Sequence, residues 1–337
     1  MSCNDLQTED AMSKFTVLVA VYNAAATLPR CLDSLLAQTL SDIQVVCVDD
    51  ASTDDSWSVL EQYARRDQRI VIRHLDHNQG QAHARNQGLL LADGDYTTFV
   101  DSDDWLSADA LAQAVSVFEA HPATDSVLFD VVYCYDDASR NHSYDMKPFE
   151  VKTGYDAFID SLTWAIHGVY AVRTELHRRF PYDETCRTYS DDNTTRLHYY
   201  ASREVRCCKG RYYYYQHPQS TSHIVSRSRY DFLLANRSMK RQLKELHVSQ
   251  DILNRYENEM WLNIVGIYQF YFLHRHELSK ADNRYGLSLL HDCWQRIETQ
   301  RLRPHLRRKF GYCPMRHWPL FRLQEELYFT LKRLIGR

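Results

Sequence analysis

The chain has no run of about eighteen uninterrupted apolar residues, the least that a membrane-crossing helix needs. The nearest approach, 260–273, is interrupted by Asn263 and Gln269. Residues 1–13 are polar and lack the apolar core of a secretory leader. None of the nine cysteines stands in a Cys-x-x-Cys pair, and their number is odd. That excludes a zinc-ribbon spacing and argues against a disulfide framework, so a reducing cytoplasm is the expected home. There is no excess of positive charge. A net charge of −4 predicts no general attraction to nucleic acid. Internal repeats and low-complexity segments are also missing. What remains, 25% charged and 44% hydrophobic residues over 337 positions, is ordinary for a globular chain of one large or two smaller domains.

The first hundred residues carry a clear rhythm. Residues 15–21 (FTVLVAV) and 43–48 (IQVVCV) are continuous apolar, β-rich runs, as strands buried on both faces should be. Between them, Leu28, Cys31, Leu32, Leu35 and Leu36 fall on one face of a helix over 27–38, with Pro29 in its first turn. Helices over 57–66 and 82–91 and strands over 70–74 and 96–100 complete a β-α-β-α-β-α-β series. This is the pattern of a doubly wound, mostly parallel α/β sheet. A helix over 108–120 and a strand over 126–133 continue it. Further on the pattern loosens, with a strand or hairpin over 164–173, a helix over 189–201 and a tyrosine-rich strand over 205–215. From about residue 226 the chain reads as helices alone.

Acidic residues gather where these strands end. Asp49 and Asp50 follow the second strand, and Asp101, Asp103 and Asp104 follow the strand over 96–100. Carboxylates this crowded repel unless a cation lies among them. Oxygen donors suit Mg²⁺ or Mn²⁺, ions commonly shared between one or two carboxylates and a substrate's phosphates. In open α/β sheets, ligands bind outside the carboxyl ends of the strands. The plain alternative is that these acids cap the helices that follow them.

Four motifs occur in order: Val19-Ala20-Val21-Tyr22-Asn23, Val48 to Asp54 (VDDASTD), Asn78 to Gly88 (NQGQAHARNQG) and Phe99 to Trp105 (FVDSDDW). Together they resemble the family-2 glycosyltransferases, GT-A fold enzymes of bacterial polysaccharide assembly. The resemblance covers about residues 14–225. It implies a Rossmann-like GT-A domain over 14–225, with a nucleotide-binding half (14–105) and an acceptor or catalytic half (106–225). A helical region over 226–337 would follow. It implies that Tyr22, Asn23, Asp49, Asp50, Arg85 and Asp101 surround the nucleotide, with Arg85 otherwise a surface ion-pair residue. Asp103 and Asp101 would hold Mn²⁺ or Mg²⁺. The family has Gly after the two acids of the second motif; here Ala51 stands, and a positive φ at that turn would cost stability. The family's acidic pair at a helix start matches Asp191-Asp192, which makes Asp192 the expected base and Asp191 its fallback. The plain reading of that pair is helix N-terminal acids facing the dipole. His217 and His223, in a loop resembling the one that closes over the diphosphate, are candidates for phosphate or metal contact.

The implied activity is an inverting, metal-dependent transfer of a hexosyl or N-acetylhexosaminyl group. The donor would be a nucleoside-diphosphate sugar, UDP-linked, and the acceptor a saccharide or lipid-linked saccharide. The implied setting is capsule, exopolysaccharide or O-antigen synthesis in the cytoplasm. The competing reading is a catalytically inactive GT-A nucleotide-sugar-binding or assembly module. A nucleotidyltransferase would want a Gly-rich basic loop after the first strand, and Asn23-Ala24-Ala25-Ala26 has neither glycine nor lysine. Residues 301–337 hold ten Arg/Lys against two Glu, interleaved with Phe310, Tyr312, Trp318, Phe321, Tyr328 and Phe329. This is either a solvated basic helix pair or a patch for peripheral contact at the inner face of the plasma membrane.

Overall fold

The computed structural model describes residues 13–186, 188–216 and 224–335. They divide into two units. The first runs through residue 157 and adds 167–181 and 198–216; the second takes 158–166, 182–197 and everything from 217 onward.

The first unit holds one mixed sheet. Its elements begin with β1 (Phe15–Val21), α1 (Leu28–Leu36), β2 (Ile43–Asp49), α2 (Ser56–Arg66), β3 (Ile70–His74), α3 (Gln81–Leu89) and β4 (Tyr96–Phe99). A two-residue β5 (Trp105–Leu106), α4 (Ala110–Ala120), β6 (Thr124–Cys134), β7 (His142–Ser143) and β8 (Val151–Thr153) follow. Then come α5 (Gly154–Leu162), β9 (Tyr170–Arg173), α6 (Thr174–Arg179), α7 (Ser190–Ala201) and β10 (Glu204–Tyr215). Helices α5 and α7 begin or end in the second unit. The strand order is β3-β2-β1-β4-β9-β6-β10-β5, with β7 on β6 and β8 on β10.

Pairing from β3 to β4 is parallel, as is β6 with β10. β9 runs antiparallel to both β4 and β6 and joins the two parallel sets. The core lies between the sheet and helices such as α1 and α4. Val17, Val19, Leu28, Leu32, Leu35, Leu111 and Phe118 are all buried there, and Tyr96 stacks on Phe118 at 4.1 Å between centroids. The α1 stripe Leu28, Cys31, Leu32 and Leu35 is buried as its spacing requires. The observed architecture is the mostly parallel α/β sheet that the motifs imply. The 164–173 segment supplies only the four residues of β9 as a strand.

The second unit is helical: α8 (Asp231–Glu245), α9 (Gln250–His274), α10 (Lys280–Gln295), α11 (Pro304–Arg308) and α12 (Trp318–Leu334). Ser249 and Ser279 cap α9 and α10, their hydroxyls accepting from the amides of Ile252 and Asp282. Trp261 and Tyr268 of α9 pack against Phe321 of α12. None of the helices among the described residues is long and apolar enough to cross a membrane.

Candidate functional site

The carboxyl ends of β1, β2 and β4 carry or lead into Tyr22, Asn23, Asp49, Asp50, Asp101 and Asp103, all in the first unit. Tyr22 leaves β1 half exposed. Asn23 has φ +49 and Ala51 φ +59, so both turns pass through the left-handed region. The turn after the two acids therefore does need a positive φ, and Ala51 adopts it at the steric cost of its Cβ. The two turns are tied together. The Asn23 side-chain oxygen accepts the Thr53 amide at 2.7 Å, and the Asn23 amide donates to the Ser52 hydroxyl at 3.0 Å.

Asp49 and Asp50 are both buried. Asp49 accepts from His74 Nδ1 at 2.8 Å and from the Ser52 amide at 3.1 Å. Asp50 accepts the Gln79 amide at 2.8 Å and the Gly80 amide at 2.7 Å, one on each oxygen. Gly80 caps α3 at φ +96, a conformation open to glycine. Asp50 therefore fixes the loop that starts α3. An ionised carboxylate has about four acceptor positions, and two are spoken for here.

Helix α3 then places Arg85, itself buried, over the Phe99 ring at 4.0 Å. Its Nη2 donates to Asp101 at 2.5 Å, and Gln81 donates to the same oxygen at 2.9 Å. Arg85 is a buried partner of the first metal-motif acid, rather than a surface ion-pair residue. Asp103 is half-buried.

Asp104 is fully buried. It accepts from the Tyr212 hydroxyl at 2.6 Å and the Tyr215 amide at 2.8 Å. The Tyr212 hydroxyl in turn accepts the Asp101 amide at 3.1 Å. Burial, and then the charges of Asp101 and Asp103, push the Asp104 carboxyl well above the usual carboxylate range. Arg30 of α1 lies between the Trp105 ring (4.0 Å) and the Tyr215 ring (4.3 Å) and donates to the Asp103 carbonyl at 2.7 Å. The acidic loop is thus pinned from α1 and from β10, while Asp101 and Asp103 keep part of their surface open. Arg30, Tyr212 and Tyr215 are the residues that sequence reasoning missed. Four tyrosines in one predicted strand were visible, but not which of them reaches the acids.

Two partly open carboxylates, one already shared with an arginine, are hard donors that fit a divalent ion completed by a ligand's phosphates. They do not amount to a closed protein cage. Among the described residues no group of three or more His, Cys, Asp or Glu side chains is placed to hold a metal. The His217 and His223 candidates lie outside the described residues.

Asp191 and Asp192 open α7 within the second unit, directly after Tyr189 at φ +65. The Asp192 amide donates to Asp191 Oδ1 at 3.2 Å. Desolvation pushes the Asp192 carboxyl up to about 7; Arg196 and Arg229 offset it and Asp191 adds to it. Arg196 sits over the Trp164 ring at 5.1 Å, and Arg229 donates to the Tyr189 hydroxyl at 3.1 Å. A carboxyl group with a pKa near 7 is poised to take and give a proton at neutral pH. Asp183, an acid shortly before this helix in the chain, accepts hydrogen bonds from Asn193 (2.8 Å) and Gln242 (3.1 Å).

A mixed sheet with nucleotide-type loops and an acidic pair at the end of its central strand defines a GT-A protein. Residues 16–180 match the family model described as "Glycosyl transferase family 2", and the chain belongs to that family. It is 32% identical to the putative glycosyltransferase EpsH of Bacillus subtilis over 157 residues, 44% of this chain and 45% of that protein. It is 31% identical to the uncharacterized glycosyltransferase EpsJ of the same organism over 225 residues, 62% of this chain and 63% of that one. The matches therefore span between about half and just under two thirds of these relatives' length. Among solved structures, S. aureus TarS 1-349 in complex with UDP-GlcNAc has a TM-score of 0.72 at 19% identity, covering 96% of this chain and 92% of that one. Two more distant chains of the fold, at TM-scores of 0.52 and 0.51, were solved with Mn²⁺.

Proposed function

We propose that the protein transfers a sugar, hexosyl or N-acetylhexosaminyl, from a UDP-sugar to a hydroxyl of a saccharide or lipid-linked saccharide, with inversion. The process it serves is the synthesis of a cell-surface polysaccharide: capsule, exopolysaccharide or O-antigen. The observation that carries this reading is the acidic loop after β4. Buried Asp104 and Tyr212 and half-buried Arg30 pin it, while Asp101 and Asp103 keep part of their surface exposed.

In this reading Tyr22, Asn23 and the Asp49–Asp50 turn receive the nucleoside, with the unused acceptor positions of Asp50 facing a base N–H or a ribose hydroxyl. Arg85 orients Asp101 through their 2.5 Å bond. Asp103 and Asp101 would hold Mn²⁺ or Mg²⁺ jointly with the diphosphate. The ion supplies Lewis-acid stabilisation to the departing nucleoside diphosphate. Asp192 accepts the proton of the attacking acceptor hydroxyl as the new bond forms at the anomeric carbon and the diphosphate leaves, and Asp191 keeps negative charge beside it. We assign the GT-A domain to 14–225 and the helical region to 226–337. The cytoplasm, which supplies nucleotide sugars, and the inner face of the plasma membrane, which would present a lipid-linked acceptor, are the proposed setting.

The family of the relatives and the UDP-GlcNAc held by TarS support a UDP-linked donor. The test is a thermal-shift panel of UDP- and GDP-sugars with Mn²⁺, followed by measurement of nucleoside diphosphate release with acceptor saccharides. A metal-dependent shift with one donor, and release of diphosphate, is the expected result. Binding without release under any acceptor would instead favour the inactive module.

A further inference from the structure

Helix α12 has one face in the core of the second unit and one face left exposed among the described residues. Phe321 and Phe329, aromatic residues of the basic tail, are buried against α9. They are therefore closed to any outside surface. On the other side Leu320, Leu323, Leu327, Leu331 and Leu334 are between 48% and 76% exposed. Their spacing puts them within about 80° of one another around the helix, in a stripe of about 21 Å. Exposed leucines scattered singly need no explanation, but five in line do.

The exposed charge of the segment that carries this stripe has one sign. Arg307, Arg308, Lys309, Arg316 and Arg333 are exposed, and none enters an ion pair with a described residue. The two acids of the segment are withdrawn. Glu326 is held by Arg275 at 2.8 and 2.9 Å. Glu325 is buried, and burial pushes its carboxyl up to about 8, so it adds no full charge at neutral pH.

We propose that this leucine face of α12, together with the exposed cations of the same segment, docks onto an anionic lipid bilayer and lies in its interface. An amphipathic helix with leucines on one side and Lys/Arg beside them has the composition that binds at headgroup level. Each exposed cation adds attraction to an anionic surface. A second copy of the chain fits less well, for two reasons. Pairing through the stripe would bring two basic segments together. The stripe also covers about two heptads, where a coiled coil needs about three or four. The proposal gives the peripheral placement above a physical surface, but it does not depend on the transfer reaction.

The test is flotation of the full chain with phosphatidylcholine vesicles, with and without roughly one-third phosphatidylglycerol. The wild type is expected to float with the anionic vesicles, less so in high salt, and weakly with the neutral ones. Leu323→Asp/Leu327→Asp changes only exposed positions and should melt like the wild type while binding anionic vesicles at least about tenfold more weakly. Arg307→Glu/Arg308→Glu should lose the salt-sensitive part. Undiminished flotation of the leucine double variant, or no flotation of the wild type, overturns the proposal. So does a wild-type dimer in light scattering that the double variant turns into a monomer, which would assign the face to a second copy. Sugar transfer to a soluble acceptor should be unaffected in both variants, so failure here is separable from failure of the enzymatic reading.

Discussion

Asp192→Asn should slow transfer and, at alkaline pH, strengthen the fold. As base, Asp192 works only when ionised. With its carboxyl at about 7, about half the molecules are competent at pH 7 and roughly a tenth at pH 6, so kcat/KM should fall tenfold per unit below that. The groups facing it are Asp191 and Arg196 on α7, Arg229 from the turn before α8, and Tyr256 of α9. Removing a facing cation with Arg196→Gln should move the acid limb to higher pH, and Asp191→Asn should move it lower.

The stability effect has a definite sign. The folded state holds the Asp192 proton more tightly than the unfolded chain, whose carboxyl titrates near 3.8. That stabilisation is whole below pH 3.8 and is lost as pH rises through 7. A three-unit shift caps the loss at about 4 kcal/mol, and residual solvent access reduces it to on the order of 1–3 kcal/mol. Asp192→Asn should therefore match the wild type in urea unfolding at low pH and exceed it at pH 8. Its kcat should drop about 10²–10⁴-fold with UDP-sugar binding retained. Near-normal turnover of Asp192→Asn, with activity lost instead in Asp191→Asn, would refute the assignment. Equal stability at pH 8 would refute the electrostatic account.

Three more perturbations test other parts of the site. Asp103→Ala should abolish metal-dependent UDP binding in calorimetry, and unchanged affinity would remove Asp103 from the metal site. Ala51→Gly relieves a left-handed alanine at φ +59 and should stabilise the first unit by about 1 kcal/mol, seen as a rise of about 2–4 °C in Tm. Tyr212→Phe deletes a hydroxyl that serves both Asp104 and the Asp101 amide. It should cost about 1–3 kcal/mol in denaturant unfolding and raise KM for the donor more than it lowers kcat.

The parallel strands were legible because burial on both faces leaves continuous apolar runs, and FTVLVAV and IQVVCV are such runs. The direction of β9 was not. Four residues, YAVR, carry no sign of which strands they will join, and its antiparallel place between β4 and β6 is decided by tertiary packing. β5 is two residues long and gives no periodicity. At the site, the acids stood out as a cluster, but their division of labour did not. Asp50 bonds to loop amides, Asp104 to two tyrosines, and Asp101 to an arginine from another helix. These partners are distant in sequence, and only the fold assembles them. Arg30 was hidden for the same reason, since its two aromatic neighbours lie on β5 and β10.

The placement of β9 has a consequence for the order in which a ribosome can deliver a finished sheet. β1 to β4 emerge first and can pair among themselves, but the free side of β4 waits for a strand that begins only at Tyr170. Until then β6 also lacks its partner on that side. The β4 edge thus stays open for about seventy residues of synthesis, and the β6 edge is open with it over the last thirty-five or so, from Cys134 to Tyr170, the condition under which nascent chains pair wrongly or with one another. A stalled or clipped product ending before Tyr170 should accumulate in aggregates, whereas one ending after β10 has closed both edges.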